Sequence, residues 1–234
     1  MPVHTFTNWN SRASDQEIQI EPFRKYYFIC EGANTETFYF ERLIGLRKQL
    51  GIHPLIDIRL LEKTDEDRNL SFPKLLAEFA EEQKIVLGTE FDSERDKMVI
   101  VFDADIFEEK VEGYDDLVSE IEQQNVLGIT NPGFELFLLL HIQESYEQHI
   151  AGNEARFLTP DENGSYSYAF RLLRELTGMN AKKNSRIGEL ADNVLVAIEQ
   201  EKKVNEDVHS VKGQISSNIG AIINAIIQDT PLPF

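Results

Sequence analysis

The sequence predicts an α/β protein in which a mostly parallel β-sheet, flanked by helices, is followed by a helical C-terminal part. Two observations predict this class. Between residues 24 and 130, short apolar runs alternate with segments of helical periodicity, and beyond residue 130 only helical periodicity is found. The order β-α-β-α-β-α-β requires right-handed crossovers and a sheet that is covered on both faces.

Four segments have the composition of strands. They are residues 25–30, 55–61, 97–102 and 125–130. Segment 55–61 alternates polar and apolar side chains, which predicts a half-exposed edge strand. Segment 97–102 is the most hydrophobic and predicts a buried strand.

Helices are predicted between these strands. The first begins at Asn34 or Thr35 and is closed by Gly51, a residue type that commonly ends helices. The next two cover residues 72–87, with Pro73 in the first turn, and residues 114–124.

The C-terminal part is predicted to consist of helices and a polar loop at residues 159–167. One helix begins at Asn131-Pro132 and continues to His141, and a second ends before Gly178. The last two helices, at residues 185–203 and 216–228, carry leucine and isoleucine stripes. We assign these stripes to the core, with a homo-oligomer or partner surface as the alternative. The predicted division is an N-terminal tail at 1–23, an α/β core at 24–135, and a helical C-terminal region at 136–234 packed on the core.

The composition is that of a folded protein: 41% of the 234 residues are hydrophobic and 27% are charged. No segment approaches the roughly 20 apolar residues of a membrane helix, and the opening residues do not resemble a secretory signal. The single cysteine, Cys30, excludes a disulfide framework and a thiolate zinc cluster. It lies in an apolar strand and is predicted to be a small core residue. We therefore expect a cytoplasmic protein.

The net charge of −18, from 23 Lys and Arg against 41 Asp and Glu, excludes a protein that binds nucleic acid through a generally basic surface. Binding would need a local basic patch, a metal ion or a basic partner. One stretch supplies candidate phosphate-binding cations, although a solvated pair of helix faces would have the same composition. Its residues are Arg171, Arg174, Lys182, Lys183 and Arg186.

Three acidic residues follow predicted strands. Glu31 ends the first strand, and Asp103 and Asp105 end the third. Ligands bind outside the carboxyl ends of parallel strands, and residues two apart on an extended segment face the same side. Carboxylates gathered there repel one another unless a cation lies among them, and hard oxygen ligands suit Mg²⁺ or Mn²⁺. The alternative is that the Asp-x-Asp pair only forms a turn or a helix cap.

A metal at this site would bind a phosphate oxygen, lower the pKa of a bound water and stabilise charge on the attacked phosphorus. The hypothesis makes Asp103 and Asp105 the metal ligands. Glu31 is then a third ligand, or the general base or acid.

The segments ICEGANTETFYFERL and VFDAD resemble the Toprim pattern, in which a Glu-Gly turn follows the first strand and a DxD motif comes later. EGANTETFYF, NPGFELFLLLH and ISSNIGAII further resemble segments of RloB-like proteins. Together they extend over nearly the whole chain from about residue 26.

The resemblance implies a prokaryotic Toprim domain with a helical C-terminal part, encoded near restriction and anti-phage loci. It implies a Mg²⁺-dependent nuclease that acts with an ATPase partner, with Glu31 as the Toprim glutamate and Asp103 and Asp105 as the DxD pair. Glu36 and Glu135 fall on acidic positions of the longer motifs and are accessory candidates. Asn34 stands where these proteins often have Lys, and Phe137 where Trp is usual.

Several of these residues have structural interpretations as well. Glu135 would be favourable near a helix N-terminus through the helix dipole alone, and Asn131 is predicted to be a helix cap. Thr35 and Glu36 either frame the metal site or simply begin a helix. His141 is predicted to be a packed or surface histidine.

Three functions remain open from the sequence. The first is a Mg²⁺- or Mn²⁺-dependent nuclease that cuts RNA or DNA. The second is a catalytically silent or regulated Toprim subunit of an ATPase-containing complex, which the acidic charge favours. The third is a nucleotide-binding sensor.

Overall fold

A central β-sheet organises the chain. The computed structural model describes residues 5–6, 21–32, 34–61, 73–104, 113–159 and 166–231, with the backbone alone for residues 5, 6 and 73. In these residues the sheet has six strands in the order β1-β3-β2-β4-β5-β6. They are Thr5–Phe6 (β1), Arg24–Cys30 (β2), Ile56–Leu61 (β3), Lys97–Asp103 (β4), Val126–Asn131 (β5) and Ser216–Ser217 (β6). The four inner strands are parallel, while β1 and β6 run antiparallel to their neighbours.

Helices connect the strands and continue beyond them. The α-helices are Thr35–Gly45 (α1), Pro73–Leu87 (α2), Tyr114–Glu122 (α3), Phe134–Leu139 (α4), Glu154–Leu158 (α5), Tyr168–Thr177 (α6), Val194–Glu201 (α7) and Ile219–Gln228 (α8). Gly88–Glu90 and Ser185–Asn193 are 3₁₀ helices, and Tyr146–Ile150 is a π-helical turn. The predicted α/β class, with a mostly parallel sheet and a helical C-terminal part, is confirmed.

The two faces of the sheet bury different sets of helices. Alternate residues of β2 point to opposite faces, as in any extended strand. Phe28 and Cys30 pack in one apolar cluster with α1 and the C-terminal helices, whereas Tyr27 and Ile29 pack in another with α2 and α3. Cys30 is buried in the first cluster, as predicted. The C-terminal helices thus share a core with the sheet; the boundary at residue 135 remains a prediction.

The prediction that residues 55–61 form a half-exposed edge strand is wrong. β1 pairs with β3, Thr5 opposite Leu61 and Phe6 opposite Leu60, so β3 is an inner strand. The same pairing places a strand inside the region predicted as an N-terminal tail. The polar positions of β3 reflect a buried ion pair, because Asp57 is 1% exposed and lies 2.9 Å from the Arg59 guanidinium.

The prediction that only helices follow residue 130 is also wrong. β6 pairs antiparallel with β5 and supplies hydrogen-bond partners for what would be an open sheet edge. The last helix therefore begins at Ile219 instead of residue 216. The segment predicted as one helix at 185–203 is a 3₁₀ helix followed by α7.

Asn131 does not begin a helix, contrary to the prediction. It is the last residue of β5 and precedes Pro132 through a cis peptide bond, and Gly133 occupies the position before α4. Its side-chain amide donates to the carbonyl oxygens of Val211 and Gln214, at 2.9 and 2.8 Å. Asn131 thus fastens the C-terminal segment to the sheet.

The first helix ends earlier than predicted: α1 ends at Gly45 and is followed by turns up to Gly51. Helix α6 ends at Thr177, and Gly178, where φ is 71°, follows it as predicted. Of the predicted loop 159–167, residues 160–165 lie outside the described residues. Within the described ranges, no helix combines the length and hydropathy needed to cross a bilayer.

Candidate functional site

Glu31 and Asp103 meet at the carboxyl ends of adjacent parallel strands. The register of β2 and β4 sets Cys30 opposite Val101, and the Glu31 backbone N–H continues the pairing to the Val101 carbonyl oxygen. The Glu31 side chain then turns toward β4, where its Oε2 accepts a 3.0 Å hydrogen bond from the Asp103 N–H. Two of the three sequence-predicted carboxylates are therefore neighbours. The third, Asp105, lies outside the described residues.

Thr130 fixes the orientation of the Asp103 carboxylate. It lies opposite Asp103 in the register of β4 and β5, is fully buried, and donates its hydroxyl to Asp103 Oδ1 at 2.6 Å. Sequence reasoning missed this residue. The signal that could have identified Thr130 as a site residue is its position at the end of the strand predicted to follow β4.

Glu135 joins the cluster from the first turn of α4. A Cβ atom at position 133 would lie 3.1 Å from Asp103 Oδ2 and 3.2 Å from Glu135 Oε2. Gly133 therefore leaves the space in which these two carboxylates approach each other. The accessory position predicted for Glu135 is adjacent to Asp103.

Glu36 folds back over the turn that follows Glu31. Its side chain is largely buried, and a Cβ atom at position 32 would collide with its carboxylate. The Glu-Gly pair thus has a steric basis, because Gly32 provides room for Glu36. Thr35 begins the same helix and donates its hydroxyl to the Ala181 carbonyl oxygen at 3.1 Å.

The convergence of these carboxyl groups shifts the pKa of Asp103. Burial raises the pKa of Asp103 well above its usual range, and the negative charges of Glu36, Glu135 and Glu31 raise it further, against the hydrogen bond from Thr130. A group that resists ionisation for these reasons is stabilised as a carboxylate by a nearby cation. The arrangement therefore favours binding of positive charge.

The chemistry of this donor set fits a hard divalent cation. Carboxylate oxygens are the ligands that Mg²⁺ and Mn²⁺ prefer, and the carboxyl groups of three other residues, Glu36, Glu135 and Glu31, act on that of Asp103. Among the described residues, no three His, Cys, Asp or Glu side chains already stand in a metal-binding arrangement.

A buried hydrogen bond ties together the two helices that carry Glu36 and Glu135. The hydroxyl of Tyr39 on α1 lies 2.9 Å from Nε2 of His141, just beyond α4. His141 Nδ1 lies 2.9 Å from the Phe137 carbonyl oxygen and must be the protonated nitrogen, because a carbonyl can only accept. Burial lowers the pKa of His141 to about 4, so the ring is neutral. His141 is therefore packed in the core, which is one of the two alternatives that the sequence left open.

The structure brings part of the basic stretch to this site. The carbonyl oxygen of Lys182 accepts a 3.2 Å hydrogen bond from the side-chain amide of Asn34, next to the start of α1. Lys182 and Lys183 are both exposed. Asn34 therefore anchors a loop that carries two lysines.

The three arginines of the stretch differ from these lysines. Arg186 forms a 3.0 Å ion pair with Glu189, which offsets its charge. Arg171 and Arg174 are exposed on α6.

A family model described as RloB-like protein matches residues 26–226, which is most of the chain. A search of curated proteins and a search of solved structures gave no match. The matched range includes the Glu31–Glu36 turn, the Asp103 strand end and the Glu135 helix, all of which meet at the carboxylate cluster. This chain therefore belongs to the RloB-like protein family.

Proposed function

We propose that this chain is a Mg²⁺- or Mn²⁺-dependent nuclease of the Toprim type that hydrolyses phosphodiester bonds in RNA or DNA. The observation that carries the proposal is the convergence of Glu31, Glu36 and Glu135 on Asp103, which raises the pKa of that carboxyl group. A divalent cation bound at this site would stabilise the ionised form of Asp103.

Asp103 and Asp105 are the proposed metal ligands. The ion would polarise a phosphate oxygen and neutralise charge that develops on the phosphoryl group. Thr130 holds Oδ1 of Asp103 and thereby directs Oδ2 toward Gly133 and Glu135. Glu31 is either a third ligand or the group that exchanges a proton with the attacking water or the leaving oxygen.

Lys182 and Lys183 are the proposed phosphate-binding cations. Their loop is bound to the start of α1 through Asn34 and Thr35, next to Glu36. Phosphate contacts need positive charge only where the nucleic-acid backbone passes. Local lysines can therefore bind phosphate although the net charge of the chain is −18.

The deciding experiment compares cleavage of labelled RNA and DNA, with Mg²⁺ or Mn²⁺, by the wild type and Asp103→Asn. We expect the variant to lose about 100-fold or more of the activity, because even mutation of the partners that support a metal ligand costs about 10–100-fold. Asp92→Asn is the matched control, because Asp92 precedes β4 at the opposite end of the strand and is paired with Arg95. Equal residual cleavage by the wild type and Asp103→Asn would remove the cluster from the mechanism.

The acidic charge favours a second candidate, a catalytically silent or regulated subunit that docks on an ATPase partner. A metal-binding site stabilises the folded state by mass action. A rise in Tm with Mn²⁺ that is lost in Asp103→Asn, without any cleavage, would support this candidate. A role in prokaryotic anti-phage defence is proposed on the resemblance to RloB-like proteins.

A further inference from the structure

An exposed aromatic ring stands close to the basic loop. Tyr166 is 41% exposed, and its ring stacks on Phe170 with 4.3 Å between centroids and 13° between planes. Phe170 is 2% exposed and packs in the core cluster that contains α1. The exposed ring therefore rests on a ring that is packed in the core.

The contact with Phe170 holds the Tyr166 ring in an orientation suited to stacking. One face of its ring is covered by Phe170 in a nearly parallel arrangement, while the side chain keeps substantial exposure to solvent. A flat ring that is already held in place loses little conformational entropy when a second planar group binds to it. Parallel stacking is also a geometry that aromatic groups favour.

The stacked pair is connected to the carboxylate cluster by described contacts. The Lys182 ammonium lies 6.0 Å from the centre of the Phe170 ring. The backbone of Lys182 is bound by Asn34, and that of Ala181 by Thr35, the first residue of the helix that carries Glu36. These contacts link the stacked pair and the Lys182 side chain to the start of α1, which carries Glu36.

We propose that Tyr166 is a stacking platform for an unpaired base of single-stranded nucleic acid, whose phosphates contact Lys182 and Lys183. Every nucleobase has a π face, so stacking on a protein ring tolerates any sequence. Bases inside a duplex are already stacked on their neighbours, so the platform selects unpaired segments, the usual targets in RNA recognition. The inference deepens the proposed nuclease function by assigning its substrate class, although binding is testable without cleavage.

The test measures binding in the absence of divalent metal, in the Asp103→Asn background. Single-stranded RNA and DNA oligonucleotides carry the fluorescent base 2-aminopurine, whose emission falls when it stacks, and a duplex serves for comparison. We expect quenching with either single strand. Tyr166→Leu, which keeps apolar cover over Phe170 but has no aromatic face, should lose the quenching and about tenfold in affinity.

Two further variants complete the design. Tyr166→Phe keeps the ring and should retain both quenching and affinity. Ile85→Ala is the matched control, because Ile85 is 80% exposed on α2, which packs on the opposite face of the sheet, and it should bind like the parent.

The proposal is overturned if neither single strand is quenched, or if Tyr166→Leu binds single strands with the parent affinity. It is also overturned if Tyr166→Leu lowers the affinity for the duplex as much as the affinity for the single strands. Failure of the nuclease proposal is distinguishable, because it would appear as absent cleavage while quenching and its dependence on the ring persist.

Discussion

Asp103 is the residue at which three elements meet. Its backbone N–H is bound by Glu31, its Oδ1 by Thr130, and its Oδ2 lies beside the space that Gly133 leaves open. Each contact comes from a different strand end or turn, so the position of this carboxylate is set by the sheet itself. A carboxylate whose position is fixed by the sheet is suited to hold a metal ion in one place.

Glu201 is a second buried carboxyl group, and it acts on stability. It is fully buried and accepts hydrogen bonds from the backbone N–H groups of Gly220 and Ala221, at 2.9 and 2.7 Å, at the start of α8. Burial raises the pKa of Glu201 from 4.5 to about 7. The folded protein therefore holds this proton to a higher pH than the unfolded chain does.

Stability is accordingly expected to fall as the pH rises from about 4.5 to about 7, because the folded state binds more protons in this range. The contribution of Glu201 to this loss is about 3 kcal/mol at 1.4 kcal/mol per pKa unit. Urea unfolding at a series of pH values should show the slope in the wild type and a flatter one in Glu201→Gln. Glu199→Gln, on the same helix but exposed, should keep the wild-type slope; an identical slope in Glu201→Gln would contradict the assignment.

At the scale of elements, helix α1 links the cluster to the C-terminal region. Its start is bound to Ala181 through Thr35, and its middle to His141 through Tyr39. Its outer side packs on the 3₁₀ helix Ser185–Asn193, where a Cβ atom at position 188 would overlap the Phe38 carbonyl oxygen. Close approach of these two helices therefore depends on Gly188.

Gly188→Ala is expected to force the 3₁₀ helix away from α1 and to lower the free energy of unfolding by about 1–3 kcal/mol, the usual cost of overpacking. Gly45→Ala is the matched control within α1, because a Cβ atom there meets nothing within 4 Å. It should raise stability by roughly 0.5–1 kcal/mol, since alanine favours a helix over glycine. Equal effects in urea unfolding would contradict the close-packing argument.

At the scale of the whole molecule, the balance of charge limits how nucleic acid is bound. A net charge of −18 repels phosphate over most of the surface, so favourable contacts must be few and local. Lys182 and Lys183 are exposed beside the start of α1. The salt dependence of binding should therefore be shallow.

Replacing both Lys182 and Lys183 by Gln should weaken binding of single strands and reduce the slope of log K against log salt by about 1.4, from about 0.7 per lost phosphate contact. Fluorescence anisotropy over a range of salt concentrations measures this slope. Lys202→Gln with Lys203→Gln is the matched control, because these lysines are paired with Glu199 and Glu147. An unchanged slope in the Lys182 and Lys183 variant would exclude them as phosphate contacts.

The sequence by itself determined the α/β class, the parallel arrangement of the inner strands and the meeting of Glu31 with Asp103. Local patterns suffice for these features, because apolar runs define strands and parallel strands bring their carboxyl ends to one edge. Asp105 remains a prediction, because it lies outside the described residues. The motif segments also placed Glu36 and Glu135 among the accessory candidates.

Only the tertiary structure decided which strands lie inside the sheet and which side chains contact one another across it. The alternation in β3 indicated solvent exposure, but a buried Asp57–Arg59 pair and the added strand β1 account for it. Thr130 and Gly133 act through the register and closeness of neighbouring elements, and Tyr166 through a stack on Phe170. Such contacts join residues distant in the chain, and a local pattern carries no information about which of them will touch.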